Sequence, residues 1–204
     1  AAGMNGLHWT RGQVLRHPLF WLMVPALLGP PAWGTALFFQ QVHMTAIKGW
    51  PLAGFVALFP IYTGVIIAAT FATGWGLDRI GTARLVPFYM LPFAVGFALM
   101  AGAGSLFAAG IALLVLGVGQ GMQSTLPAAF WAEFFGTQHI GSIKAAAAGI
   151  MVFGSAIGPG ISGFLIDQGI DFPQQMWGYS VYFVFAALVA TIGVTGAQKS
   201  LSAA

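Results

Sequence analysis

The amino-acid sequence predicts an all-α membrane protein with six transmembrane helices. Hydrophobic residues make up 58% of the 204 residues, charged residues only 5%, and the mean hydropathy is +0.87. Soluble proteins carry roughly 25% charged residues, so this chain cannot cover itself with a water-facing surface. Segments 93–103 and 111–119 do not alternate between apolar and polar residues. The strands of a membrane β-barrel require that alternation, so helices are the predicted structure.

The charged residues divide the chain into membrane segments of about 20 residues or more. The uncharged intervals are 17–47, 49–77, 85–132, 145–166 and 172–198. The 48 residues of interval 85–132 would form a rod about 72 Å long, more than twice the thickness of the hydrocarbon core. That interval must therefore hold two helices, and the small residues of 101–105 are the predicted turn. The predicted helices are about 19–42, 52–77, 85–102, 106–131, 141–166 and 176–196.

The basic residues predict the orientation of the chain in the membrane. Six spans place both termini on one side. The basic residues on that side are Arg11, Arg16, Arg79, Arg84, Lys144 and Lys199, whereas Lys48 lies opposite. Basic residues accumulate on the cytoplasmic side of membrane proteins. We therefore expect a multi-pass protein of the cytoplasmic (inner) membrane, with a linker segment 1–18 and a tail 197–204 in the cytoplasm.

One short loop concentrates charge between two long apolar segments. Of the 7 basic and 4 acidic residues in the chain, three fall within seven positions of "GWGLDRIGTARL" at 74–85. Arg79 and Arg84 alone would be typical of a topological anchor. An anchor does not explain Asp78, which lies at the predicted end of helix two, before a glycine that permits a tight turn.

The pattern Gly74-x-x-x-Asp78-Arg79-x-Gly81, followed by Arg84, resembles the signature loop of the major facilitator superfamily. Ala83 departs from that pattern, which has a basic residue there. Segments 38–50 and 132–167 resemble the second half of bacterial carriers in the branch of oxalate/formate antiporters and monocarboxylate porters. Segment 8–21 resembles the linker that precedes the seventh helix in that branch. The resemblance covers about residues 8–196.

The resemblance implies that the chain is the C-terminal half of a twelve-helix carrier, built from two inverted three-helix repeats. Its expected partners are the lipid bilayer, the missing N-terminal half and a small organic solute, with a proton or a counter-substrate as alternatives for coupling. In the family, the Asp and Arg of the loop hold helix ends together on the closed cytoplasmic side. The expected gating residues are Gly74, Asp78, Arg79, Gly81 and Arg84.

Helices one and four are expected, by resemblance, to line the substrate cavity. Helix one is interrupted at Pro25, Gly29 and Pro30–Pro31, and such breaks are tolerated where a cavity or polar partners satisfy the backbone. In helix four, Gln120 and Ser124 lie on one face with two glycines. The candidate substrate-binding residues are Trp33, Gln40, Tyr62, Gln120 and Ser124. For each of these residues, a role in helix packing is the alternative interpretation.

Two groups of small residues predict close helix packing. Gly117 and Gly121 are four residues apart in helix four. The sequence "GSAIGPGISG" at 154–163 supplies Gly154, Gly158, Pro159 and Gly163 in helix five. Glycines at this spacing let helix backbones approach, and a proline bends a helix. This element resembles one that antiporters carry in the fifth helix of their first half.

The remaining residues argue against other classes of function. The chain has no cysteine, so thiolate metal sites are excluded, and no metal or cofactor is expected. The basic residues form no patch of the kind that binds nucleic acid. The carboxylates Asp78, Glu133, Asp167 and Asp171 all lie at predicted helix boundaries, and the histidines lie at helix ends or in loops, so no enzyme is expected. The remaining alternative is a six-helix membrane scaffold that transports nothing. No Lys or Arg lies deep in a helix, so an anion site would need its cation from the other half.

Overall fold

The computed structural model describes residues 1–201, and within that range it is helical with no strands. The six long helices are α1 (Pro18–Phe39), α2 (Phe59–Ile80), α3 (Leu91–Gly102), α4 (Leu106–Phe135), α5 (Ile140–Asp167) and α6 (Phe172–Leu201). The short helices are Met4–Gly6, Arg11–Arg16, Gln41–Lys48, Leu52–Val56 and Thr82–Leu85. The predicted all-α fold is confirmed. The tail 197–204 is helical as far as Leu201, and its last three residues lie outside the described range.

Five helical stretches are long and apolar enough to cross a membrane. They are Pro18–Phe39, Leu52–Ile80, Leu106–Phe135, Ile140–Asp167 and Phe172–Leu201. The third segment differs from the predicted helix 85–102, because residues 86–90 form turns and α3 has only 12 residues. Pro87 and Pro92 explain this interruption, since neither has an N–H for a helical hydrogen bond. A 12-residue helix is about 18 Å long, so the preceding turns complete this apolar segment.

The helices pack in the order α2, α4, α3, α6, α1, α5, each with its main contacts to the next. If α1 is exchanged with α4, α2 with α5 and α3 with α6, the same packing order results, starting from its other end. Such a pairing is expected of two three-helix repeats. Because each repeat crosses the membrane three times, the second begins on the opposite side and is inverted. Helices α3 and α6 form the back of the half-bundle, while α1 and α4 make little direct contact.

Glycines mediate both edge interfaces, α2 with α4 and α1 with α5. A Cβ added to Gly121 would lie 2.5 Å from the Cβ of Ala69, and one added to Gly117 would lie 3.2 Å from the carbonyl oxygen of Tyr62. In α5, a Cβ on Gly154 would lie 2.9 Å from the carbonyl oxygen of Leu28. At Gly121 and Gly154 these helices approach more closely than a Cβ would allow, and at Gly117 the contact would be tight.

Three other residues of the α5 glycine element were also expected in helix packing. A Cβ on Gly158 would meet the backbone of Ala32 in α1, which places this glycine in the same interface as Gly154. A Cβ on Gly163 would make only ordinary contact, 3.6 Å from the Nε2 of Gln40. Pro159 lies within α5 and does not end the helix.

The N-terminal segment packs against the ends of the long helices. The backbone N–H of Trp9 donates to the carbonyl of Phe135, the last residue of α4, at 3.0 Å. Met4 is buried and lines a cleft together with Ser200 of α6. Both ends of the described chain therefore lie at the same end of the bundle.

His17 caps α1 at this end. Its Nδ1 accepts a hydrogen bond from the backbone N–H of Leu19 at 3.2 Å, and its ring packs edge-on against Trp9 and Phe135. Burial lowers the pKa of His17 from its ordinary value of 6.5. The unfolded chain therefore takes up a proton at a higher pH than the folded chain. Stability contributed by His17 is present above pH 6.5 and decreases as the pH falls below it.

Replacing His17 with Asn should reduce this dependence on pH. Asn is a favourable N-cap that keeps a side-chain acceptor and does not titrate. We expect the difference in melting temperature between pH 7.5 and pH 5.5 to be smaller in His17→Asn than in the unmodified protein, measured in detergent. The matched control is His139→Asn at the start of α5, where the histidine makes no side-chain cap bond. An unchanged difference in His17→Asn would contradict the assignment.

Candidate functional site

A cavity lies between α1, α4 and α5, in the part of the bundle nearer the termini. Its walls include Leu27 of α1, Gln123, Ser124 and Trp131 of α4, and Lys144 and Met151 of α5. Helices α1 and α4 belong to different repeats and barely touch, so the space between them is open. The cavity therefore opens on the side of the half-bundle opposite α3 and α6.

Gln123 is the most unusual polar residue of this cavity. Its side chain is only 4% exposed, yet neither Nε2 nor Oε1 has a hydrogen-bond partner within residues 1–201. A buried polar group without a partner costs about 1–3 kcal/mol. Such a group needs a partner from outside these residues, such as a water molecule, an ion or a ligand. Gln123 is not among the residues predicted from the sequence, although its position three residues after Gln120 could have indicated it.

Of the five candidate substrate residues, Ser124 lies in the wall of this cavity. Its Oγ donates to the carbonyl of Gly121 at 2.7 Å and lies 3.0 Å from the Oγ1 of Thr70 in α2. This hydroxyl pair joins α2 to α4 beside Gln123. Gln120 is half-buried, and its side chain makes no hydrogen bond within the described residues.

The other three candidates lie apart from Gln123 and Ser124. The Trp33 ring stacks on Tyr179 of α6, with centroids 4.3 Å apart, so it is held in the α1–α6 interface. Tyr62 packs its ring and carbonyl against Gly117 and borders a separate, apolar groove between α2 and α4. Gln40 lies at the end of α1, beside α5. The structure thus does not gather the five candidates into one site.

In the charged loop, Gly81 has a φ of +84°, a conformation that favours glycine, and it ends α2. Asp78 and Arg84 are exposed, and Asp78 has no hydrogen bond or ion pair to any residue in 1–201. The Arg79 guanidinium lies over the Trp75 ring, 4.4 Å from its centroid. A Cβ added to Gly74 would meet nothing within 4 Å, so no described residue packs closely against this glycine.

Glu133 near the end of α4 anchors this loop. Its Oε2 accepts a hydrogen bond from the backbone N–H of Thr82 at 3.3 Å. This contact satisfies a backbone group just after the turn at Gly81 and joins the loop to α4. This contact could not be predicted from the sequence, because the two residues are far apart in the chain.

The opposite end of the bundle has its own polar contacts. The Lys48 Nζ donates to the carbonyls of Ala101 and Ala103, at 2.9 and 2.7 Å, and thereby caps α3. His43 and Asp171 pair at 3.2 Å and join the helix after α1 to the start of α6. Within residues 1–201, no group of three His, Asp or Glu side chains is placed to hold a metal ion.

Comparisons with known proteins agree with this architecture. The family model described as "Major Facilitator Superfamily" matches residues 3–159. The "Multidrug resistance protein B homolog" of Mycobacterium tuberculosis, from strains CDC 1551 / Oshkosh and ATCC 25618 / H37Rv, is 30% identical over 122 residues. That match covers 59% of this chain and 21% of each relative, so the matched part of the chain spans about a fifth of their length. With its apolar helices and two three-helix repeats, the chain is a multi-pass membrane protein that belongs to the major facilitator superfamily of transporters.

Proposed function

We propose that this chain forms the C-terminal six-helix half of a twelve-helix secondary carrier that moves a small organic solute by alternating access. The observation that carries the proposal is the cavity at Gln123, where a buried carboxamide without partners borders the gap between α1 and α4. In this superfamily each half contains two inverted repeats, and substrate sites lie near the bilayer midplane at the repeat interface. The cavity supports the proposal because it lies between α1 and α4, one helix from each repeat.

The charged loop supports the same proposal. Asp78 has no partner within residues 1–201, whereas Glu133 holds the loop in place. A charged residue that is exposed on a fixed loop is suited to contact another part of the carrier and to release it. We therefore assign Asp78 to a cytoplasmic gate closed against the N-terminal half, with both termini of this half in the cytoplasm.

The cavity wall favours a solute with a substantial apolar surface. Most of the lining residues are apolar, among them Met151, Pro127 and three alanines, and Lys144 is the one charged lining residue. Lys144 thus supplies one positive charge to the cavity wall. Its side chain is exposed and does not form a buried binding site for a carboxylate. An exposed charge contributes little to affinity. The lining thus gives no specific support to the oxalate/formate and monocarboxylate branch.

Alternating access can be tested without knowledge of the solute. The chain has no cysteine, so Ser124→Cys introduces a single thiol into the cavity of a carrier whose other half is also made cysteine-free. In right-side-out and inside-out vesicles, we expect a membrane-impermeant thiol reagent to label this position from both sides. The matched control, Ala46→Cys, lies exposed at the opposite end and should react from the outer side alone. Labelling of Ser124→Cys from one side only would favour a non-transporting scaffold.

A further inference from the structure

The unpaired carboxamide of Gln123 determines which hydrogen-bonding groups a ligand must present. Its Nε2 offers N–H donors and its Oε1 offers an acceptor, and neither is used within residues 1–201. The neighbouring Ser124 hydroxyl is already committed to Gly121 and Thr70. Gln123 is therefore the lining residue with unmet hydrogen-bonding capacity on both its donor and its acceptor atom.

The other residues that line the cavity determine the polarity and the charge of a ligand that fits it. Met151, Ala128 and Ala148 present an apolar surface, whereas Leu27 and Trp131 are almost fully buried, at 0% and 1% exposed. The lining residues include no Asp or Glu, and Lys144 adds one positive charge at an exposed position. This combination disfavours a cationic ligand and fits a mostly apolar molecule.

Three ligand groups of the same shape differ in how well they satisfy Gln123. A primary carboxamide accepts from Nε2 and donates to Oε1, so both groups are paired. A carboxylate can only accept, which leaves Oε1 facing another acceptor, and an amidinium can only donate, which leaves Nε2 facing other donors. One unpaired buried group costs roughly 5- to 150-fold in affinity. The exposed Lys144 can raise the affinity for a carboxylate by at most about fivefold. The carboxamide is therefore favoured.

We propose that this cavity binds a neutral solute with an apolar body and a carboxamide-type group, which pairs with Gln123 through two hydrogen bonds. The class includes primary amides, lactams and ureides, all of which present a donor beside an acceptor. This inference rests on the proposed transport function and assigns its substrate class.

Three planar molecules of nearly identical shape test the inference: benzamide, benzoate and benzamidinium. A single thiol at Ala148→Cys, an exposed position in the cavity wall, reports occupancy through its rate of reaction with a water-soluble maleimide. We expect benzamide to slow the reaction at concentrations about tenfold below those needed for benzoate, with benzamidinium the weakest. Ala46→Cys at the other end should react at the same rate throughout.

A second variant separates pairing at Gln123 from a general loss of folding. Gln123→Glu replaces the donor–acceptor pair with two acceptors, which match the two donors of an amidinium. At pH 8 we expect the order to reverse, so that benzamidinium protects Ala148→Cys better than benzamide. Gln138→Glu is the matched control, because it adds the same charge at an exposed position outside the cavity. It should keep the original order.

Equal protection by the three molecules, or an order that Gln123→Glu leaves unchanged at pH 8, would overturn the inference. A better protection by benzoate than by benzamide would overturn it as well, because Lys144 would then outweigh Gln123. These results would leave the transport proposal intact if Ser124→Cys still reacts from both sides of the membrane. Labelling from one side only would instead reject the transport proposal.

Discussion

Replacing Gly158 with Ala should destabilise the half-bundle by about 1–3 kcal/mol, the range for overpacking a well-packed interior. The added Cβ would lie 2.7 Å from the Cα of Ala32 and even closer to other backbone atoms of that residue. A backbone cannot rotate away as a flexible side chain can, so α1 and α5 must move apart. Both helices form the wall of the Gln123 cavity, so we expect a lower melting temperature in detergent and faster labelling of a cavity cysteine.

Gly160→Ala is the matched control in the same helix. Gly160 is exposed, and an added Cβ there meets nothing within 4 Å. Since Ala favours a helix more than Gly does, this variant should be at least as stable as the unmodified protein. An equal loss of stability in both variants would show that α5 needs flexible backbone around Pro159, and it would reject the close α1–α5 contact as the cause.

Replacing Asp78 with Asn should impair transport by the intact carrier without affecting the stability of this half. Asp78 has no partner within residues 1–201, so the six-helix unit loses no contact. If its charge acts on a helix end of the other half, the cytoplasm-closed state loses on the order of 0.3–2 kcal/mol. That corresponds to roughly a two- to thirtyfold shift between the two facing states. The measurements are solute uptake, surface expression and labelling of Ser124→Cys from the cytoplasmic side.

Asp167→Asn controls for the removal of one negative charge from an exposed helix end. Asp167 ends α5 at the opposite end of the bundle, away from the charged loop. The Asp167→Asn variant should leave unchanged the ratio of Ser124→Cys labelling from the two sides of the membrane. Normal uptake by Asp78→Asn at normal expression would reduce the loop to a topological anchor.

The sequence by itself determined the all-helical membrane fold and indicated the turn at Gly81, where φ is +84°. Each of these is a local property. The number of consecutive apolar residues shows whether a helix can span the bilayer, and a glycine is needed where φ is positive. The prolines at 87 and 92 were also visible, but the apolar length of segment 85–102 concealed the interruption before α3.

Only the tertiary structure decided which polar residues share a site. Gln123, rather than Gln120, is buried without partners, because α1 and α5 supply the rest of its surroundings. Trp33 packs on α6, and Glu133 holds the backbone of Thr82. The sequence could not indicate these contacts, since lipid and protein interior are similarly apolar and a membrane helix lacks the amphipathic pattern that identifies its buried face. The partners come from helices distant in the chain, and the packing order of those helices determines which side chains meet.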